Sequence, residues 1–524
     1  MNISLPFLLT AVFFFVLLAI ASWGMKRTKD TSDFLLGGKT LGPWVLAISY
    51  GTAYFSAVVF IGFAGKFGWL CGFGGLWVGL FNALIGGALA WLVLGRATRR
   101  MTRNLNAMTM PEFFSARYNT NGMKITTAII IFVFLLPYSA SVFAGLGYLF
   151  EKIFNLHIET AITIITLVTG IYVVCGGYKA AARIDFLQGI IMFVGAIFMV
   201  WFVMAKFGTP AEAVQQANSA WHERVAAALS GAAQGNPCEA VKPIPGYILW
   251  SVVFMTSFAA WGLPQMVHKY YAIKEESQIV RGAVITTVFA LVIGCSAYFC
   301  GALTHLLPDD QLKLALAKGG AEIDTNALVP VMLIHALPKP LLALILLLVL
   351  SASMSTLSSL VLVSSSAVSI DLYKGYLAPN RSERHYLAIM RILSGVFILL
   401  SWLLAMYNPS WIVALMSLAW GAVAGAFLSP YLYGLFWKGT TKIGAYAGMW
   451  TGLLLANGIY FYRYFTMSPG AANQFAPVAA TIAIIVPFFV VPPVSLITKK
   501  VAPETVEKAF RRERSPLSKE TIVR

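Results

Sequence analysis

Six hydroxyl side chains crowd nine residues of this chain: Ser351, Ser353, Ser355, Thr356, Ser358 and Ser359. The run that holds them, LLALILLLVLSASMSTLSSLVLVSSSAV, is otherwise apolar. At helical spacing Ala352, Ser355, Thr356 and Ser359 fall on one face. Hydroxyl oxygens, joined by a backbone carbonyl freed through local unwinding, are ligands for a small hard cation. A serine or threonine in a membrane helix ordinarily bonds the carbonyl one turn back, and one or two would need no other explanation. Six in nine residues exceed that reading.

Two other stretches look like backbone that leaves the helix inside an apolar segment. Residues 48–57 (ISYGTAYFSA) bring together Gly51, Thr52 and Ser56, and residues 257–264 (SFAAWGLP) end a second segment on Gly262 and Pro264. Unwound backbone at membrane depth is tolerated only where it is buried in protein or lines a cavity. Small residues in such segments also serve close helix packing, so neither stretch alone defines a site. Interruptions at corresponding positions of two halves are, however, what an inverted-repeat transporter shows.

The elements that must position these residues are membrane helices. The chain is 59% hydrophobic and 11% charged, which is the composition of a polytopic membrane protein. Apolar runs predict about thirteen spanning helices, near 4–24, 43–66, 73–95, 124–150, 158–178, 184–206, 246–268, 279–305, 340–366, 386–407, 410–436, 441–463 and 474–498. Every odd-numbered helix is followed by a basic stretch, among them MKRTK, RATRRMTR, YKAAAR, HKYYAIK and WKGTTK. Under the positive-inside rule these loops face the cytoplasm, with the N-terminus outside and the C-terminus inside. The net charge of +17 is spread over those loops, so it sets topology and does not describe a nucleic-acid surface.

The first apolar stretch has its charges after it, and reads as a retained helix, not a cleaved leader. The five cysteines lack metal-binding spacing. The reading is therefore one transmembrane domain over residues 1–498, with repeats at about 43–206 and 246–437. A charged, mobile cytoplasmic tail follows at 499–524, and a short surface helix is expected within 207–245.

Five stretches carry a resemblance to a known family: DFLLGGKTLGPW (33–44), NAMTMPEFFSARY (106–118), the GGYK turn with Asp185 and Gln188, residues 351–374, and LAWGAVAGAFLSP (418–430). In order and spacing they resemble the sodium/solute symporter family over about residues 30–440. The resemblance implies an all-α, LeuT-type inverted-repeat fold and sodium as the coupling ion, with no organic cofactor. It places a sodium ion on the carbonyls of Thr52, Phe55 and Ala352 and the hydroxyls of Ser355 and Thr356. Some family members hold a second sodium, for which Asp185, Ser355, Ser358 and Ser359 are the candidates here. The plainer reading of Asp185 is a pair with a loop cation near Arg183.

The solute pocket is expected at Tyr54, Ser56, Trp77, Phe81, Asn82, Tyr138, Thr256, Ala260 and Trp261. Taken singly, each is more often a packing residue, because aromatic and small side chains are common in membrane cores. Proline carriers of the family have acidic residues where this chain has Tyr54 and Gly75, and aromatics where it has Thr256 and Ala260. The pocket need not accept proline. Ionisable side chains look nearly absent from mid-membrane positions, which points away from a proton relay and from polyvalent solutes, and Asn82 is the one amide placed at depth, too few partners for a sugar. The expected cargo is a monocarboxylate or a neutral amino acid such as proline. A sugar, sialic acid or vitamin symporter, or a transporter-like membrane sensor, is the alternative. A channel would need a filter or charged rings, and an enzyme a matched nucleophile, base or metal cluster; the sequence shows neither. The expected surroundings are the plasma (inner) membrane bilayer, with no nucleic-acid partner.

Overall fold

Pro43 starts the helix that matters most for the site, because a proline's missing N–H costs nothing in a first turn. That helix runs Pro43–Tyr54 and stops without a second proline: Phe55 turns to extended backbone at φ −105°, ψ 130°. A π-helical stretch, Val58–Phe63, and the helix Ala64–Cys71 carry the chain onward. All residues from 46 to 65 are buried, so the N–H groups freed by the break need protein partners. Ala57 N–H donates to Ser353 Oγ at 2.9 Å and Val58 N–H to Ser56 Oγ at 3.3 Å.

A second broken span has a more legible cause. The helix Gly246–Ala259 gives way to a turn closed by Trp261 N–H to Phe258 O at 3.0 Å and Gly262 N–H to Ala259 O at 2.9 Å. Pro264 then opens the helix Pro264–Tyr271 and holds the preceding Leu263 at φ −76°, ψ 123°, outside the helical region. Facing both breaks is the helix Lys339–Ser366, unbroken throughout and continued by a π-helical stretch, Ala367–Leu377.

This computed structural model describes residues 5–27, 42–176, 178–230, 238–315, 323–407 and 411–511. Helices lie in each of the thirteen expected segments, with breaks inside 43–66 and 246–268, and among the described residues ten stretches, not thirteen, are long and apolar enough to cross a membrane. One of the ten, Val58–Leu105, folds back on itself at Gly72, whose φ of +54° a side chain would resist. Ahead of that turn Gly68 packs on Gly301, and after it Gly79 packs on Gly294 and Gly95 on Ile279. The two arms therefore run in opposite senses along the helix Gln278–Leu303. The surface helix expected within 207–245 is present as Pro210–Ser230.

Part of the tail is a helix docked on the transmembrane domain. Pro503–Phe510 is a helix whose end is held by Asn104 Nδ2 donating to Ala509 O at 3.0 Å and Arg511 O at 2.8 Å. Its apolar Ala509 and Phe510 supply the contact that a charge count overlooks, with the Arg117 guanidinium 5.2 Å from the Phe510 ring. Residues 512–524, most of the DFLLGGKTLGPW stretch and Gly177 of the GGYK turn lie outside the described residues.

Candidate functional site

The five oxygens assigned to sodium converge where the first break meets the unbroken helix. Ser355 Oγ lies 2.9 Å from Thr52 O and 3.0 Å from Ala352 O. Thr356 Oγ1 lies 3.0 Å from Ala352 O, 3.4 Å from Thr52 O and 3.4 Å from Phe55 O. It is also 3.2 Å from Ala53 O, a sixth oxygen that the sequence reading missed because nothing in an alanine side chain announces its carbonyl. Thr52, Phe55, Ala352, Ser355 and Thr356 are all fully buried.

The expected unwinding at Ala352 is absent, since Lys339–Ser366 stays helical through that position. None is needed: a helical carbonyl keeps a second lone pair, and the two hydroxyls already use it. In the structure the hydroxyl hydrogens bridge this cluster. With a cation at its centre they would rotate away and present oxygen, giving an all-oxygen set without a fixed carboxylate, which suits a monovalent ion that must be released.

The second-sodium candidates have different neighbours. Asp185 Oδ2 accepts a short hydrogen bond from Ser49 Oγ and stands 3.5 Å from Lys269 Nζ. Lys269 Nζ also donates to Ser49 Oγ at 2.7 Å and to Ser359 Oγ at 3.4 Å. Ser358 Oγ donates along its own helix to Ser355 O at 2.9 Å. Asp185 thus pairs with Lys269 of the second broken span and not with a loop cation near Arg183. The reading that ionisable groups are nearly absent from the interior fails for the same reason: Lys269, Asp185 and Asp371 are buried. Lys269 sits one residue inside a stretch that reads as a basic loop, and the helix Pro264–Tyr271 carries it inward.

Of the expected solute residues, Tyr54, Asn82 and Thr256 form one network. Tyr54 Oη donates to Thr256 O at 2.6 Å, and Asn82 Oδ1 accepts from Thr256 Oγ1 at 2.7 Å and from Ser257 Oγ at 3.1 Å. Trp261 Nε1 donates to Ile85 O at 3.1 Å, and Ala260 is buried in the turn beside it. Tyr138 approaches the group through Trp420, whose ring stacks on Tyr54 at 6.3 Å and meets Tyr138 edge-on at 5.6 Å. Trp420 was missed by sequence reasoning although it lies in the LAWGAVAGAFLSP stretch; it is buried, with its indole beside Tyr138.

Trp77 and Phe81 are not brought to this group. They share one face of a short helix, where Trp250 meets Trp77 at a tilt and Phe81 edge-on, and Trp77 is 46% exposed. Asn82 is not alone as a buried amide either: Gln188 and Gln265 are 0% and 1% exposed. Gly75 lies at the hairpin turn against Phe67, away from the break.

Two broken spans that face a continuous hydroxyl-bearing helix, in an all-helical membrane protein, define a LeuT-type secondary transporter. A sodium-coupled sialic acid symporter in a substrate-bound, outward-open state superposes with a TM-score of 0.71 at 16% identity, covering 95% of this chain and 98% of that one. Mhp1, a nucleobase-cation-symport-1 family transporter, follows at a TM-score of 0.50 and 13% identity over 92% of this chain and 99% of its own. The chain belongs to the sodium:solute symporter family, matched over residues 34–452, and is a sodium-coupled symporter of the membrane.

Curated relatives agree. The sodium/proline symporter of Escherichia coli (strain K12) is 29% identical over 87% of this chain and 88% of its own length. That of Haemophilus influenzae is 30% identical over 85% and 86%. The osmoregulated proline transporter OpuE of Bacillus subtilis (strain 168) is 28% identical over 86% and 89%.

Proposed function

We propose that this symporter imports a small organic solute with one carboxylate, a monocarboxylate or a neutral amino acid such as proline, by alternating access around the first helix break. The convergence of Thr52, Phe55, Ala352, Ser355 and Thr356 oxygens within hydrogen-bond reach of one another carries the reading. Sodium bound there ties the broken span to the continuous helix, so occupancy of the ion favours the arrangement in which the neighbouring solute pocket is formed.

The pocket comprises Tyr54, Ser56, Asn82, Tyr138, Thr256, Ala260 and Trp261, joined by Trp420, whose ring contacts Tyr54 and Tyr138. Helix-end N–H groups are poorly placed for the carboxylate, because Ala57 N–H and Val58 N–H are already given to Ser353 and Ser56. The buried Trp420 N–H, the Ser56 and Tyr138 hydroxyls and the bound sodium are the remaining partners for an anion. Small side chains at Thr256 and Ala260 leave room for its apolar part. A dicarboxylate or phosphate would need buried counter-charges beyond these, at a cost of several kcal/mol per ion.

The repeats span about 43–206 and 246–437, the basic loops face the cytoplasm, and the N-terminus lies outside the plasma (inner) membrane. Purified protein in liposomes, screened with labelled amino acids, monocarboxylates, sugars and vitamins, tests the reading. A sodium gradient should drive uptake of one of the first two classes. Sodium-driven uptake confined to hexoses would overturn it.

A further inference from the structure

We infer that the Lys269 ammonium is a built-in second cation: it occupies the Asp185–Ser49–Ser359 position and limits this symporter to one sodium ion per chain. The inference rests on the sodium site proposed above and specifies its stoichiometry. Asp185 is fully buried, and in its ionised form it needs a cation beside it at that depth. Lys269, 2% exposed, meets that need: its three protons point to Ser49 Oγ at 2.7 Å, Ser359 Oγ at 3.4 Å and Asp185 Oδ2 at 3.5 Å.

Those acceptors are a carboxylate and two hydroxyls, which is also a donor set for sodium. An ion placed among them would face the ammonium in a medium of low dielectric, where like charges repel strongly. A covalently attached cation cannot be carried through the cycle, so it contributes charge without consuming the gradient.

The position joins three moving parts. Ser49 lies one turn before Thr52, whose hydroxyl donates to Ser49 O at 3.3 Å, and Ser359 lies one turn beyond Ser355 on the same face. Lys269 thus links the second broken span to both walls of the sodium site, and its tether replaces what a second ion would supply in holding them together.

Equilibrium binding of radiosodium to the purified full-length chain decides the matter without knowledge of the solute. Wild type should bind one sodium per chain, with affinity weakened at least about fivefold by Thr356→Ala, as expected for one lost buried ligand. Lys269→Gln, which leaves Asp185 uncompensated, should bind two. Lys269→Gln combined with Asp185→Asn should return to one. Two ions in wild type, or one in folded Lys269→Gln, would overturn the inference while leaving the sodium reading intact. No bound ion in wild type would overturn both. If Lys269→Gln alone does not fold, the wild-type count and the doubly neutral variant still decide: one ion in each is expected, and two in wild type refutes.

Discussion

Thr356 is the most economical place to perturb the sodium site. Its Oγ1 lies within 3.4 Å of four carbonyl oxygens, those of Thr52, Ala53, Phe55 and Ala352, so no other single side-chain atom reaches as much of the cluster. Thr356→Ala removes one of five proposed ligands and leaves carbonyls of the broken span facing a methyl group. A lost partner at a buried polar site costs about 1–3 kcal/mol, which is about a 5- to 150-fold loss of sodium affinity. Thr356→Val removes the same oxygen while keeping the branched shape, and should lose a similar factor with little change in folding. Thr356→Ser restores the oxygen and should return to within about threefold of wild type. The assay is equilibrium radiosodium binding to purified protein, with thermal unfolding as the control for folding. Unchanged affinity in well-folded Thr356→Ala and Ser355→Ala would reduce this face to a packing surface and refute the assignment.

Three further outcomes follow from the same geometry. Ala260→Tyr overfills the turn of the second broken span; overpacking costs about 1–3 kcal/mol, so half-saturation for solute should rise about tenfold or more, and normal uptake at limiting solute would displace the pocket from this turn. A Cβ at Gly86 would overlap Tyr54 Oη, so Gly86→Ala should push that phenol off Thr256 O and weaken solute uptake while leaving radiosodium affinity near wild type; a loss of sodium binding instead would mean that Tyr54 supports the ion site. In a chain freed of native cysteines, Arg100→Cys should react with an impermeant thiol reagent only from the cytoplasmic side, because this partly exposed residue lies in the basic end beside Glu276, and labelling from outside would invert the topology.

The hydroxyl-rich face of residues 351–359 and the poor helix formers of residues 48–57 were legible in the sequence because each is local, whereas the five-oxygen set proposed for sodium came from the family resemblance. Ala53 was not legible, since carbonyl ligands carry no side-chain signal. The mid-helix break at Phe55 was harder to read than the one at Leu263, because Pro264 dictates the second while the first depends on tertiary acceptors such as Ser353. Lys269 was misread for a physical reason. Charge runs mark loops on average, but the helix Pro264–Tyr271 turns this one lysine inward, and only the fold reveals that Asp185, 84 residues earlier, waits there. Trp77 and Phe81 show the reverse error: aromatic residues near a break are as readily surface rings as pocket walls, and sequence spacing does not say which face they take. The docked helix Pro503–Phe510 was hidden by the charges around its apolar face.

Whether sodium at the Thr52–Phe55–Ala352–Ser355–Thr356 cluster powers transport can be measured directly. Wild-type and Ser355→Ala/Thr356→Ala protein can be compared side by side in liposomes, following labelled solute under an inward sodium gradient, an inward potassium gradient and an inward proton gradient. Wild type should concentrate solute with sodium alone, and the double variant should lose sodium-driven accumulation despite normal folding. Accumulation driven equally by protons or potassium, or undiminished sodium-driven accumulation in the double variant, would contradict sodium coupling at this cluster.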